Sequence, residues 1–188
     1  MNVLIVGGAG YIGCFISRLL LEQGYCTTVL DNLSTGHRTS LSKKTKFIEG
    51  DMADYSLLKE TLQSNKIDVV MHFAAFSLVG ESVKNPGAYY ENNVINSLNL
   101  LMAMKETGVK YFIFSSTAAV YGEPQDIPIT EAHPVNPINP YGSSKMLVEE
   151  ILNGLSIANH LKYVSLRYFN AAGAHPDGSM GEDHKNET

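Results

Sequence analysis

Residues 2–13 read Asn2-Val3-Leu4-Ile5-Val6-Gly7-Gly8-Ala9-Gly10-Tyr11-Ile12-Gly13. An unbroken apolar run that stops at glycine predicts a strand over Asn2–Val6 buried on both faces. From Tyr11 to Gln23 the spacing changes. Ile12, Phe15, Ile16, Leu19 and Leu20 recur at helical period, and Gly24 ends the segment. Between strand and helix the glycines fit G-x-G-x-x-G from Gly8 and G-x-x-G-x-x-G from Gly7. Glycine there lets the backbone turn tightly and approach a diphosphate, while the last one lets helix and strand pack closely. Asp31 stands at the end of the next apolar run, about 20 residues on, where a carboxylate would accept the adenine-ribose hydroxyls and repel a 2′-phosphate. The turn therefore predicts a site for NAD rather than NADP.

The alternation continues outward. Thr27–Leu30, Lys46–Glu49, Ile67–Phe73, Tyr111–Ser115 and Tyr163–Arg167 read as further strands. Helices are predicted over Tyr55–Gln63, over Pro86–Thr107 with Val94, Leu98, Leu101 and Met102 inward, and over Tyr141–His160 with Leu147, Ile151 and Leu155 on one stripe. Strands separated by helices give an α/β fold, a Rossmann-type doubly wound parallel sheet flanked by helices. Residues 122–140, with Pro124, Pro128, Pro134 and Pro137, form a long loop, and such loops are usually functional. After Asn170 the apolar pattern lapses. Residues 1–170 are thus expected to be the dinucleotide-binding domain, and residues 171–188 read as the start of something whose continuation is not in this chain.

Composition narrows the class. The 188 residues carry 14 basic and 19 acidic side chains, a net charge of −5, which disfavours nucleic acid or anionic lipid as partner. Cys14 and Cys26 are too few for a disulfide framework and are expected to be small buried hydrophobes. No stretch approaches the roughly 20 apolar residues of a membrane span, and the N-terminus lacks a basic leader. A cytoplasmic protein is the expectation. His133, His160 and His175 have no metal-ligand spacing, and solvated or capping roles are expected of them.

Tyr141 and Lys145 lie four apart, on one face of a helix. A phenol is a poor base at neutral pH, and an ammonium one turn away together with an oxidised nicotinamide would lower its pKa. Ser115-Ser116-Thr117 closes the fifth strand, at the carboxyl edge where open parallel sheets bind ligands. A hydroxyl there would hold a substrate oxygen and relay its proton to Tyr141. Asp51 is open to two readings, an adenine contact or a helix cap.

Gly7–Gly13, Asp31-Asn32-Leu33-Ser34-Thr35-Gly36, Gly50-Asp51, His72-Phe73-Ala74-Ala75, Ser115-Ser116-Thr117, Tyr141-x-x-x-Lys145 and Arg167-Tyr168-Phe169-Asn170 together resemble the extended short-chain dehydrogenase/reductase family. Within it they resemble the branch that interconverts UDP-glucose and UDP-galactose. The resemblance runs from Met1 to about His184, and it implies that residues 171–188 begin a substrate-binding lobe whose bulk is not in this chain. It implies that Gly7, Gly10, Tyr11, Ile12 and Gly13 hold the pyrophosphate, and that Asp31, Asn32, Ser34, Thr35 and Gly36 surround the adenosine ribose. Asp51 and Met52 would flank adenine. Phe73, Ala74, Ala75, Ser77, Asn93, Ser115, Tyr168 and Phe169 would line or support the remaining cofactor site, with Ser77 standing where some relatives carry a lysine. Tyr141, Lys145 and Thr117 would be catalytic, and Thr117, Tyr141 and Asn170 would meet the sugar nucleotide.

The implied reaction is NAD-dependent epimerisation at C4 of a UDP-hexose, in galactose metabolism, through a transient 4-keto sugar. Sugar-nucleotide dehydratases of the family need an Asp-Glu pair after the threonine, and here Ala118 and Ala119 follow Thr117. The chain by itself is expected to bind NAD and to be weakly active or inactive. Other readings stay open: another NAD-dependent nucleotide-sugar epimerase or oxidoreductase, or a non-catalytic NAD-binding module. In the family the helices over Asn92–Thr107 and from Tyr141 pack against their copies, so a homodimer is possible, although burial within one chain would explain the same stripes.

Overall fold

A computed structural model describes residues 1–183. Six parallel strands form one sheet in the order β3-β2-β1-β4-β5-β6. They are β1 (Asn2–Val6), β2 (Cys26–Asp31), β3 (Lys46–Glu49), β4 (Val69–His72), β5 (Tyr111–Thr117) and β6 (Lys162–Tyr168). The helices are α1 (Tyr11–Glu22), α2 (Tyr55–Ser64), α3 (Val79–Lys84), α4 (Pro86–Tyr90), α5 (Asn96–Thr107) and α6 (Pro140–Ile157). Strand order reverses between β1 and β4, and a crevice at the carboxyl ends of the strands is where such a sheet binds.

The two faces of β1 are buried by different layers. Leu4 and Val6 join a cluster with Leu58, Leu62, Leu100, Met104, Phe112 and Leu152 under α2, α5 and α6. Val3 and Ile5 join Val29, Cys14 and Phe15 under α1. That second layer is incomplete. Along β6, Val164 and Leu166 remain exposed, so the sheet is covered on both faces only at its β1–β3 end.

Two expectations, an unbroken long helix and a buried Cys26, need correction. The long helix is broken: Glu91–Ile95 is a π turn joining α4 to α5. A π turn holds an extra residue and rotates whatever follows it, so the buried positions are Leu100, Leu101 and Met104, while Leu98 is exposed. On α6 the fully buried pair is Val148 and Leu152, with Leu147, Ile151 and Leu155 half-buried beside it. Cys14 is buried as expected, but Cys26, first residue of β2, is exposed. Helix α3 was not foreseen, since its six residues are too few to show a period.

Candidate active site

The glycine turn is shaped from inside. Gly7 has φ +77°, and a Cβ there would lie 2.4 Å from the Ala74 nitrogen. At Gly13 a Cβ would meet the Gly7 carbonyl oxygen at 2.3 Å. Gly10 differs: an added Cβ would come no closer than 3.5 Å to its neighbours, and so would project into open space. No side chain caps α1 at Gly10 and no acid stands in its first turn, which leaves the dipole and N–H groups of the helix start for an anion. Both features fit a dinucleotide pyrophosphate held over Gly10.

Asp31 ends β2 and braces this turn. Its carboxylate accepts from the Ala9 N–H at 2.9 Å and from the Leu33 N–H at 2.8 Å. Asn32 donates to the Asp51 carboxylate at 2.6 Å and accepts from Ser34 N–H. Asp51 also takes the Ala53 N–H in a local turn, and Asn32 ties it to the loop that follows Asp31. Ser34 and Thr35 are exposed, and Gly36 is packed against Ala9. The Met52 side chain is committed to the core. Across the crevice Phe73 and Ala74 both donate their N–H to the Val6 carbonyl, which holds Phe73–Ala75 beside the turn. Ser77 is exposed on the loop that follows. Tyr168 is half-buried at the end of β6, and Phe169 and Asn170 are exposed beyond it.

Asn139 caps α6 by accepting from Gly142 N–H at 2.8 Å, and Pro140 pre-sets the first turn. Tyr141 and Lys145 share the face toward β5, as their spacing predicts. The Lys145 ammonium donates to the Ser115 carbonyl at 2.8 Å and lies 4.8 Å from the centre of the Phe114 ring. With no carboxylate beside it, burial pulls its pKa down to about 7. Burial also raises the Tyr141 phenol, and the Thr117 hydroxyl beside it acts the other way. Desolvation outweighs the Thr117 contact, so the phenol of Tyr141 sits above its ordinary value. Thr117 accepts from Ala119 N–H and is nearly buried.

The π turn has a local purpose. It turns Asn93 inward, where its side-chain oxygen accepts from Phe76 N–H and its amide donates to the Phe76 carbonyl and to Ser144 Oγ. Ser144 in turn donates to the Tyr141 carbonyl at 2.7 Å. Asn93 thus joins the crevice loop to the helix bearing Tyr141.

Several supporting residues escaped the sequence reading. Tyr89 packs edge-on to Tyr141 with ring centres 6.5 Å apart, and burial pushes its own phenol to about 12. Arg167 makes a paired contact with Glu149, at 3.0 and 2.6 Å, and Ser116 donates to the same carboxylate. Glu149 lies one turn past Lys145, so helical spacing could have flagged it. Tyr89 leaves no such signal. His72 is buried and neutral, its pKa lowered to about 3 by burial. His133 is corrected: it is buried in the long loop, accepting from Gln125 N–H and donating to the Pro134 carbonyl. Among the described residues, no three His, Cys, Asp or Glu side chains are grouped to hold a metal ion. No helix among the described residues is long and apolar enough to cross a membrane.

Lys145 gives the ligand-free chain a pH signature. With a folded pKa near 7 against an ordinary 10.5, the unfolded chain binds more protons between those values, so this group makes stability rise with pH there. Urea denaturation of the parent and Lys145→Met should show the difference moving in the parent's favour from pH 7 to 10.

A glycine-turn cradle beside a tyrosine–lysine pair on a doubly wound parallel sheet defines a Rossmann-type dinucleotide-binding fold. The match to the NAD dependent epimerase/dehydratase family spans residues 3–186, and the chain belongs to that family, whose cofactor is NAD. It is 54% identical over its whole length to the UDP-glucose 4-epimerase of Lactobacillus helveticus, of which it spans 57%. The crystal structure of UDP-glucose 4-epimerase from Brucella ovis in complex with NAD superposes with TM-score 0.97 and 49% identity, over 100% of this chain and 57% of that one. The enzyme from Bifidobacterium longum in complex with NAD+ and UDP superposes with TM-score 0.95 and 42% identity, over 99% of this chain and 58% of the other. The chain thus spans little more than half the length of these relatives.

Proposed function

We propose that residues 1–170 are the NAD-binding and proton-transferring part of an enzyme that epimerises C4 of a UDP-hexose, and that residues from 171 begin the part that grips the nucleotide. The observation that carries this reading is the placement of Tyr141 beside Thr117 at the carboxyl end of β5, with Lys145 buried one turn on.

NAD would lie with its pyrophosphate at Gly10–Tyr11–Ile12, its ribose at Asp31 and its far end toward Tyr141. When bound it supplies the acceptor and then the donor of the C4 hydride, and its cationic ring favours the Tyr141 phenolate. Tyr141 takes the proton of the 4-hydroxyl as the C4 hydrogen leaves, and returns it once hydrogen arrives on the opposite face. Thr117 holds the same oxygen. Lys145 anchors the cofactor ribose and supports the phenolate. Tyr89 and Asn93 keep the Tyr141 ring and helix in place. Ala118 and Ala119 supply no acid for eliminating water, which agrees with a reaction without net redox or loss of a group. Exposed Ile95 and Leu98 on the outer side of the π turn and α5 would suit a homodimer.

The test compares the chain alone with the chain joined to the C-terminal portion of the Lactobacillus helveticus relative. The chain alone should retain NAD, measured after acid release, and turn over UDP-galactose poorly or not at all. The joined protein should be active. Brisk turnover by the chain alone would remove the need for the second part. NAD retention with no turnover of any nucleotide sugar by the joined protein would instead make the unit a binding module.

A further inference from the structure

Beyond β6 the chain doubles back across α1. The Tyr11 hydroxyl donates to the Gly173 carbonyl at 2.6 Å, and a turn follows in which His175 N–H donates to the Met180 carbonyl. Arg18 on α1 grips that turn. Its guanidinium donates to the Asp177 carboxylate at 3.1 Å and to Ser179 Oγ at 2.7 Å, with Met180 Sδ at 3.4 Å. Met180 itself packs on the core cluster under α1. The segment ends beside His37, whose Nε2 lies 3.2 Å from the Asp183 carbonyl oxygen and 3.6 Å from its carboxylate.

These contacts reach both walls of the cradle. Tyr11 and Arg18 belong to the glycine turn and α1, whereas His37 belongs to the loop that follows Asp31. Gly181 and Asp183 line a cleft of about 20 Å³ together with Ala9, Gly10, Tyr11 and Thr35, space for about one water molecule. Residues 173–183 thus bridge the two walls between which a dinucleotide would sit.

We propose that residues 173–183 are a strap that retains the bound dinucleotide by slowing its entry and exit, with Arg18 as its latch. The inference rests on NAD being the ligand and not on the sugar chemistry. Retention of this kind suits a cofactor that is reduced and reoxidised within one turnover. The Arg18–Asp177 pair is partly exposed, with side chains 32% and 50% accessible, so one substitution should loosen the strap without destroying it.

The experiment loads the chain with NADH, follows its fluorescence, and chases with excess NAD. Arg18→Ala and Asp177→Ala should each speed release about threefold, the scale of an exposed ion pair. The double variant should speed release by less than the product of the two singles, because the Arg18–Asp177 contact is common to both. A chain ending at Asn170 should release NADH at least tenfold faster. Association should accelerate as well, which a mere loss of affinity would not produce. Unchanged rates in folded variants, or release that speeds up without faster association, overturn the strap while leaving the cofactor assignment intact. A parent chain that binds no NADH overturns both. Melting curves check folding, and if the shortened chain does not fold, the Arg18–Asp177 cycle decides.

Discussion

Phenylalanine in place of Tyr141 should leave NAD bound and lower UDP-galactose turnover about a thousandfold, within the range of a positioned proton-transfer group. The measurement belongs in the chain joined to the Lactobacillus helveticus C-terminal portion. Phenylalanine keeps the ring, so the edge-on contact with Tyr89 and the burial on α6 survive, and only the hydroxyl beside Thr117 is lost. Folding should not suffer, since the ring keeps its packing and only one hydroxyl contact, to Thr117, is lost. The expected pattern is a lower kcat, a nearly unchanged KM for the sugar nucleotide and an unchanged melting temperature. Turnover within threefold of the parent would take Tyr141 out of the reaction.

The glycine turn offers the second large effect, and its force lies in a contrast between two positions. A Cβ on Gly13 would come within 2.3 Å of the Gly7 oxygen and 2.7 Å of Gly8 Cα, both backbone atoms that cannot swing aside. Gly13→Ala should therefore force the turn open and cost the fold about 3 kcal/mol, at the upper end of overpacking penalties. A lower urea midpoint with unchanged slope would register it. At Gly10 the nearest atom would be 3.5 Å away, so Gly10→Ala should fold like the parent. Its methyl group would stand where the pyrophosphate must approach, and NAD affinity should fall about a hundredfold, roughly 2.8 kcal/mol. A Gly10→Ala chain that binds NAD normally would mean that the diphosphate does not sit over this residue.

Legibility followed sequence distance. The central strands were legible because a parallel strand buried on both faces reads as a continuous apolar run, as in Asn2–Val6, and the helix bearing Tyr141 and Lys145 put both on one face by its own geometry. Residue-level burial was less readable. One extra residue in the π turn rotated α5 and exposed Leu98, a change no 3.6-residue count can anticipate. Cys26 was misjudged because an apolar neighbourhood in sequence does not tell which end of a strand opens to solvent.

The charge environment of the site was less legible still. The spacing puts Lys145 beside Tyr141, yet only the packed fold shows that burial raises the phenol and lowers the lysine. Desolvation depends on everything packed around a group and so is a property of the assembled fold.

What the amino-acid order determined by itself was local: the strand–glycine–helix opening, the carboxylate at the end of the second strand, the tyrosine–lysine spacing, and the alternation that makes the sheet. Each follows from backbone period and steric allowance over a few residues. Only the tertiary structure decided that Asp31 braces Ala9, that Glu149 clasps Arg167, that Asn93 anchors Ser144, and that Tyr11 meets Gly173 162 positions away. Such pairs leave no periodic trace, because the chain between them contributes nothing to the contact except the path that brings its ends together.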